Sequence, residues 1–168
     1  AASTLSMAGD YTQTAGSTTL AGGALTSGGG VDLQGGALSG VGTINGSVIN
    51  AASVTPGSSA GTLTITGDYT ETPGSALNVE IGGYVAGTDF DRLAVTGHAT
   101  FAGSLNITTL TPFDPTFGDT FAIVTYGSYE GDFSAYTGTE LPNFMAYNPF
   151  FGATDMTLAV ATAPIGPG

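Results

Sequence analysis

The chain has no cysteine, no tryptophan, one histidine and, against thirteen Asp and Glu residues, a single basic residue, Arg92. Each absence removes a class of protein. Without Cys there are no disulfide staples, and cysteine usage says nothing about the compartment. With one His, no Cys and no Lys, neither a zinc cluster nor a nucleophile–base pair of the common kinds can be assembled. Zero Lys also rules out Lys–Asn isopeptide cross-links, and proteases that cut after basic residues find only Arg92. The formal net charge of −12 opposes nucleic-acid phosphates and anionic membrane surfaces alike. Apolar residues almost never recur at three-to-four spacing, so no helix is expected. No apolar run approaches the roughly 20 residues a membrane helix needs. The Gly-, Ser- and Thr-rich first third lacks the apolar outer face of a membrane barrel strand. The chain starts at Ala1 without Met, which fits a processed product whose signal peptide has been removed.

What is present is alternation. In Thr62 to Ile81, TLTITGDYTETPGSALNVEI, apolar residues fall at every second place in Leu63 and Ile65 and again in Leu77, Val79 and Ile81. That is strand periodicity. Gly67-Asp68 and Pro73-Gly74 punctuate the runs as turn formers, leaving a short middle strand that bears Tyr69. The stretch recurs near the start: Thr4 to Ser17 matches Thr62 to Ser75 at nine of fourteen positions. A weaker third copy, LAVTGHATFAGSLNI, begins at Leu93. Tyr11 and Tyr69 occupy equivalent places, each expected to pack its ring on a neighbouring strand with the hydroxyl reaching solvent.

Between Leu20 and Thr55, short apolar pulses (Leu20, Leu25, Val31, Leu33, Leu38, Ile44, Val48, Val54) are separated by Gly, Ser and Asn. A flexible linker would not repeat such pulses. Strands of three to five residues with tight corners, stacked along one axis at about 4.8 Å per rung, are what a β-solenoid requires. The predicted class is all-β, with solenoid repeats over 1–110, an aromatic-rich β cap or small sandwich-like portion over 111–160, and a Pro/Gly tail over 161–168. In the cap, Phe113, Phe117, Phe121, Tyr126, Tyr129 and Phe133 replace the Gly/Ser/Thr background, and a solenoid needs such a cover for its last rung. Leu141 to Phe151, LPNFMAYNPFF, is Pro-broken and reads as loop or edge.

The ordered series GTINGSVIN, VTPGSSAGTLTITGDYTETPGSALNVEI, GTDFDRLAVTGHATFAGSLNI and GDTFAIVTYGSYEGDF, from about Val41 to Phe133, resembles the passenger-type β-solenoid repeats of bacterial autotransporters and related secreted surface proteins. The resemblance implies a right-handed parallel β-helix, secretion, and surface display in adhesion, matrix or fibre formation. It carries no shared catalytic residues, so none are transferred. The long membrane barrel of autotransporters has no counterpart in this sequence, and self-translocation is not carried over.

Candidate sites are few. Asp89 and Asp91, alternate carboxylates in a Gly-bearing loop, could supply oxygen ligands to calcium, the one cofactor considered; a turn with a local Arg92 ion pair is the plainer reading. His98 lies at a turn of the repeat. Asn45 and Asn106 head N-x-Ser/Thr sequons and are glycosylation candidates. The leading expectation for function is a secreted structural subunit that assembles head to tail into an extracellular fibre, pilus-like filament or sheath, because the N-terminal unit copies an internal one and can present matching strands to a neighbour. Strand donation and rung-on-rung stacking are both compatible with it. Leu5, Met7, Tyr11, Phe144, Tyr147, Phe150 and Phe151 are the expected contacts. The alternatives are an adhesin or passenger fragment binding glycans or partner proteins and, third, a carbohydrate-active enzyme using paired carboxylates. One Arg and no Trp count against the last.

Overall fold

The computed structural model describes residues 3–163, which form nineteen strands and no helix. The N-terminal third holds β1 (Thr4–Met7), β2 (Tyr11–Gln13), β3 (Ser17–Ser27), β4 (Val31–Leu33), β5 (Ala37–Asn45), β6 (Val48–Asn50) and β7 (Ser53–Pro56). The central repeat is β8 (Thr62–Ile65), β9 (Tyr69–Glu71) and β10 (Ala76–Ile81), followed by the third copy, β11 (Arg92–Val95), β12 (His98–Phe101) and β13 (Ser104–Thr109). The chain continues through β14 (Thr120–Thr125), β15 (Ser128–Gly131) and β16 (Ala135–Thr137), then ends on β17 (Glu140–Leu141), β18 (Met145–Phe151) and β19 (Asp155–Thr162).

Two sheets result. Six middle strands pair in parallel in the order β15-β12-β9-β6-β4-β2. The other thirteen form one curled sheet whose two branches, β7-β10-β13-β16 and β8-β11-β14, meet at β5; β1 joins it through β3. Leu20 to Thr55 is thus built into both sheets. The expectation of parallel pairing needs one correction, because the large sheet is mixed. Beyond β14 the strands β19, β18 and β17 pair antiparallel, so a hairpin takes the outer edge of β14. The last two residues of β19 fall within the stretch expected to be tail, and residues 164–168 lie outside the described residues.

Alternation explains the core. In β8, β9 and β10 every second side chain is buried: Leu63, Ile65, Tyr69, Glu71, Leu77, Val79 and Ile81. Parallel register then aligns these positions into columns. One runs Tyr11, Val31, Val48 and Tyr69; another runs Leu5, Leu25, Ile44 and Ile65. The first preserves the register of the sequence copies. The second does not, since the copies would match Leu5 with Leu63. The shift enters between β3 and β5: Leu25 stands six residues before Val31, whereas Ile44 stands four before Val48 and Ile65 four before Tyr69. Where rungs approach closely only Gly fits: at Gly36, with φ of +80°, a Cβ would come within 2.0 Å of Gly16 O. The outer face is tied by a ladder of short polar side chains. Asn78 Nδ2 donates to Thr55 Oγ1 at 3.1 Å, Asn106 Nδ2 to Asn78 Oδ1 at 2.8 Å, and Thr137 Oγ1 to Asn106 Oδ1 at 2.8 Å.

Candidate functional site

Two ends and one buried polar column are the features that can act. At the N-terminal end, no described strand pairs with the outer edge of β1 or β2. Leu5 stands at the end of a column that is otherwise buried and is 54% exposed, while Met7 and Tyr11 are half-buried against the core. A groove of about 420 Å³ opens there, lined by Leu5, Leu20, Ala21, Ala24 and neighbouring Ser and Thr residues, with no charged group. Tyr11 turns its hydroxyl to Thr18 Oγ1 at 2.5 Å, and Thr18 in turn donates to Gln13 Oε1 at 2.8 Å.

At the other end, the antiparallel hairpin folds aromatic side chains across the core. Phe151 stacks on Tyr129 at 5.0 Å between ring centres and packs tilted on Phe101 at 5.4 Å. Tyr147, expected at a contact surface, is instead 2% exposed, with its hydroxyl 3.0 Å from Thr109 Oγ1 and its ring edge-on to Phe121. The Pro-broken stretch, expected as loop or edge, forms the turn 142–144 and then β18, an edge strand beyond Ala146 whose inward side carries Tyr147 into the core. Pro149 is compatible with that strand because β17 pairs with β18 only at Met145 and Ala146, leaving one edge of β18 unpaired around Pro149. Phe144 and Phe150 do reach solvent, at 89% and 65% exposure.

The buried column was not foreseen. Gln13, Leu33, Asn50 and Glu71 share one inward position of the six-stranded sheet. Asn50 Nδ2 donates to the Tyr69 hydroxyl at 3.0 Å, and that hydroxyl donates to Glu71 Oε1 at 3.0 Å. The Gly103 amide donates to Glu71 Oε2 at 3.2 Å. The expectation that Tyr69 sends its hydroxyl to solvent therefore fails. The rung before it supplies an amide and its own strand a carboxylate, so the hydroxyl is satisfied inside. Burial pushes the Glu71 carboxyl up to about 7, although the Tyr69 hydroxyl and the Gly103 and Ala102 amides pull the other way. Burial, followed by the Glu71 charge, holds the Tyr69 phenol well above its ordinary value.

The remaining candidates are engaged locally. Asp89 Oδ2 accepts the amides of Tyr84 and Val85 at 3.2 and 3.0 Å, closing its own loop. Asp91 is buried and clamps two rungs, its oxygens accepting the Gly61 and Glu80 amides at 2.9 Å each. Burial pushes Asp91 up to about 7 against those two donors. Among the described residues no group of three or more His, Cys, Asp or Glu is placed to hold a metal ion. The expected ion pair of Arg92 is absent too; its Nε donates to Ala122 O at 3.1 Å. His98 begins β12, its backbone amide donating to Asp68 Oδ1 at 2.8 Å and its Nδ1 lying 2.8 Å from Ser128 Oγ. Asn45 and Asn106 lie on strands, not on the loops expected of glycan acceptors, and both amide nitrogens are bonded, Asn45 Nδ2 to Thr26 Oγ1 at 3.0 Å.

No protein-family model and no curated protein sequence matches the chain.

Proposed function

We propose that the chain is a secreted structural subunit, a right-handed parallel β-helix of the autotransporter-passenger kind, that joins head to tail into extracellular filaments. The observation that carries this reading is the outer edge of β1 and β2, with which no described strand pairs, and Leu5 exposed at the end of a column whose other members are buried. Backbone donors and acceptors along an uncovered strand favour addition of another strand. The free edges of β15 and β16 at the other end run parallel to their own neighbours, so they offer a second copy the same polarity. The hairpin on β14 leaves rung-on-rung stacking to the β15 and β16 walls. A charge of −12 keeps copies apart at low ionic strength, so filaments should lengthen with added salt. Negative-stain imaging and sedimentation over a concentration series in 0.1 and 0.5 M salt test the reading. A monodisperse monomer under every condition would sink it.

A second reading, glycan binding, is favoured by a cleft of about 350 Å³ beside the hairpin, lined by the aromatic Tyr136 and Phe151 and the polar Asp132, Thr139 and Asn148. Binding of monomeric protein to immobilised glycans, lost in Tyr136→Ala, would support it. No comparable observation favours the enzyme. Glu71 and Asp91, the carboxylates with raised pKa, are buried and line none of the clefts described.

A further inference from the structure

The turn between β17 and β18 holds a bulky side chain in a conformation that disfavours it. Met145 N donates to Pro142 O at 3.3 Å, and both central residues are left-handed, Asn143 with φ of 59° and Phe144 with φ of 58°. Asn suits the first of these places and Gly the second. Phe at the second brings its Cβ against the backbone, as any residue larger than Gly does there. The turn is also pinned, since Ala163 N donates to Phe144 O at 2.7 Å. The ring gains little burial from the described residues in return. It is 89% exposed, the most exposed of their large apolar side chains. A conformational penalty kept at a fixed, solvent-facing aromatic side chain points to use outside the fold.

The opposite end supplies a complement. The groove beside Leu5 is about 420 Å³ in volume, lined by aliphatic, Gly, Ser and Thr residues, and free of Asp and Glu. The turn from Leu141 to Met145 holds no acidic residue, although Glu140 lies beside it. In a chain with thirteen carboxylates and one Arg, two copies approach without like-charge repulsion only where at least one of the two surfaces is uncharged. The groove is uncharged, and it lies at the opposite end of the molecule from the turn.

We infer that Phe144 of one copy seats in the Leu5 groove of the next. The inference rests on the head-to-tail assembly proposed above and supplies a contact where the hairpin blocks the edge of β14. A knob and a groove on different surfaces make a heterologous junction, which repeats into a filament unless its rotation closes. One ring buries roughly 150 to 250 Å². It therefore acts as an anchor within a larger contact completed by the strand edges.

The test separates assembly from folding. Phe144→Gly should raise the concentration needed for filaments at least about tenfold, while the dilute monomer melts at the same or a higher temperature because Gly accepts the left-handed turn. Leu5→Asp should block assembly from the groove side. Mixing the two variants should give heterodimers and nothing longer, since the Leu5→Asp copy keeps its knob and the Phe144→Gly copy keeps its groove. Sedimentation velocity reads all three. Filaments of Phe144→Gly at the wild-type concentration would assign the groove to another occupant, such as a neighbour's strand edge, and overturn this inference alone. A wild-type chain that never assembles would overturn the proposed function with it.

Discussion

Replacing Glu71 with Gln should flatten a fall in stability that the wild-type chain shows between mildly acidic and neutral pH. The carboxyl is 2% exposed, and its pKa rises on folding from 4.5 to about 7. The folded chain holds the proton more tightly than the unfolded one. The stabilisation is therefore complete below about pH 4.5 and is lost as the pH rises through about 7. At about 1.4 kcal/mol per unit, the loss from this residue is about 3 kcal/mol. For a domain of this size that corresponds to roughly 6 to 12 °C in melting temperature. Asp91, also raised to about 7, adds to the fall in the same direction. Surface carboxylates repel one another more as they ionise, so the comparison belongs at about 0.5 M salt, where that term is screened. Urea titrations followed by tyrosine fluorescence, at intervals from pH 4.5 to pH 8, would give both slopes. A wild-type stability that is level or rises across this range, or a Glu71→Gln variant that keeps the full slope, would refute the assignment of the buried proton to Glu71.

The close approach of rungs makes a paired prediction at two glycines that both have positive φ. Gly36→Ala places a Cβ 2.0 Å from Gly16 O and should prevent soluble expression or lower the urea midpoint sharply, whereas Gly74→Ala, with nothing within 4 Å, should cost only about 1 kcal/mol. Asn106→Ala removes the donor to Asn78 and the acceptor for Thr137 on the outer ladder, and should lower stability by about 1 to 2 kcal/mol in the same titration.

The strands were legible wherever a side chain's fate depends on its own neighbours in sequence. Leu63, Ile65, Leu77, Val79 and Ile81 read as one buried face because alternation is local, and Gly67-Asp68 and Pro73-Gly74 read as corners for the same reason. The polar column was not legible. Asn50 reaches Glu71 and Tyr69 only because parallel register brings one rung over another, whereas Tyr69 and Glu71 are neighbours on one strand. The sole hint was composition: Gln13 and Glu71 stand in equivalent places of the two copies, two residues after a Tyr. Phe144 was legible as an exposed aromatic side chain, but not the left-handed turn beneath it, because Pro142-Asn143 announces a turn without saying which residue bears the positive φ. Tyr147 was not legible as core because an aromatic edge stretch does not announce which of its rings turns inward; pairing with β19 and the Phe121 ring decide that.

Successive turns of the chain are not equal in length. The interval between stacked residues is 20 at Thr19 and Ser39 but 30 at His98 and Ser128, and the filling changes from Leu25, Val31 and Leu33 to Phe101, Tyr126 and Phe133. Similar wording in the repeats therefore hides unequal connections: residues 82–91 and 110–119 lengthen the later turns, while the strands of the two copies stay nearly equal in length. A unit lifted from the later region and spliced into the earlier one would arrive with an extra connection and bulkier filling.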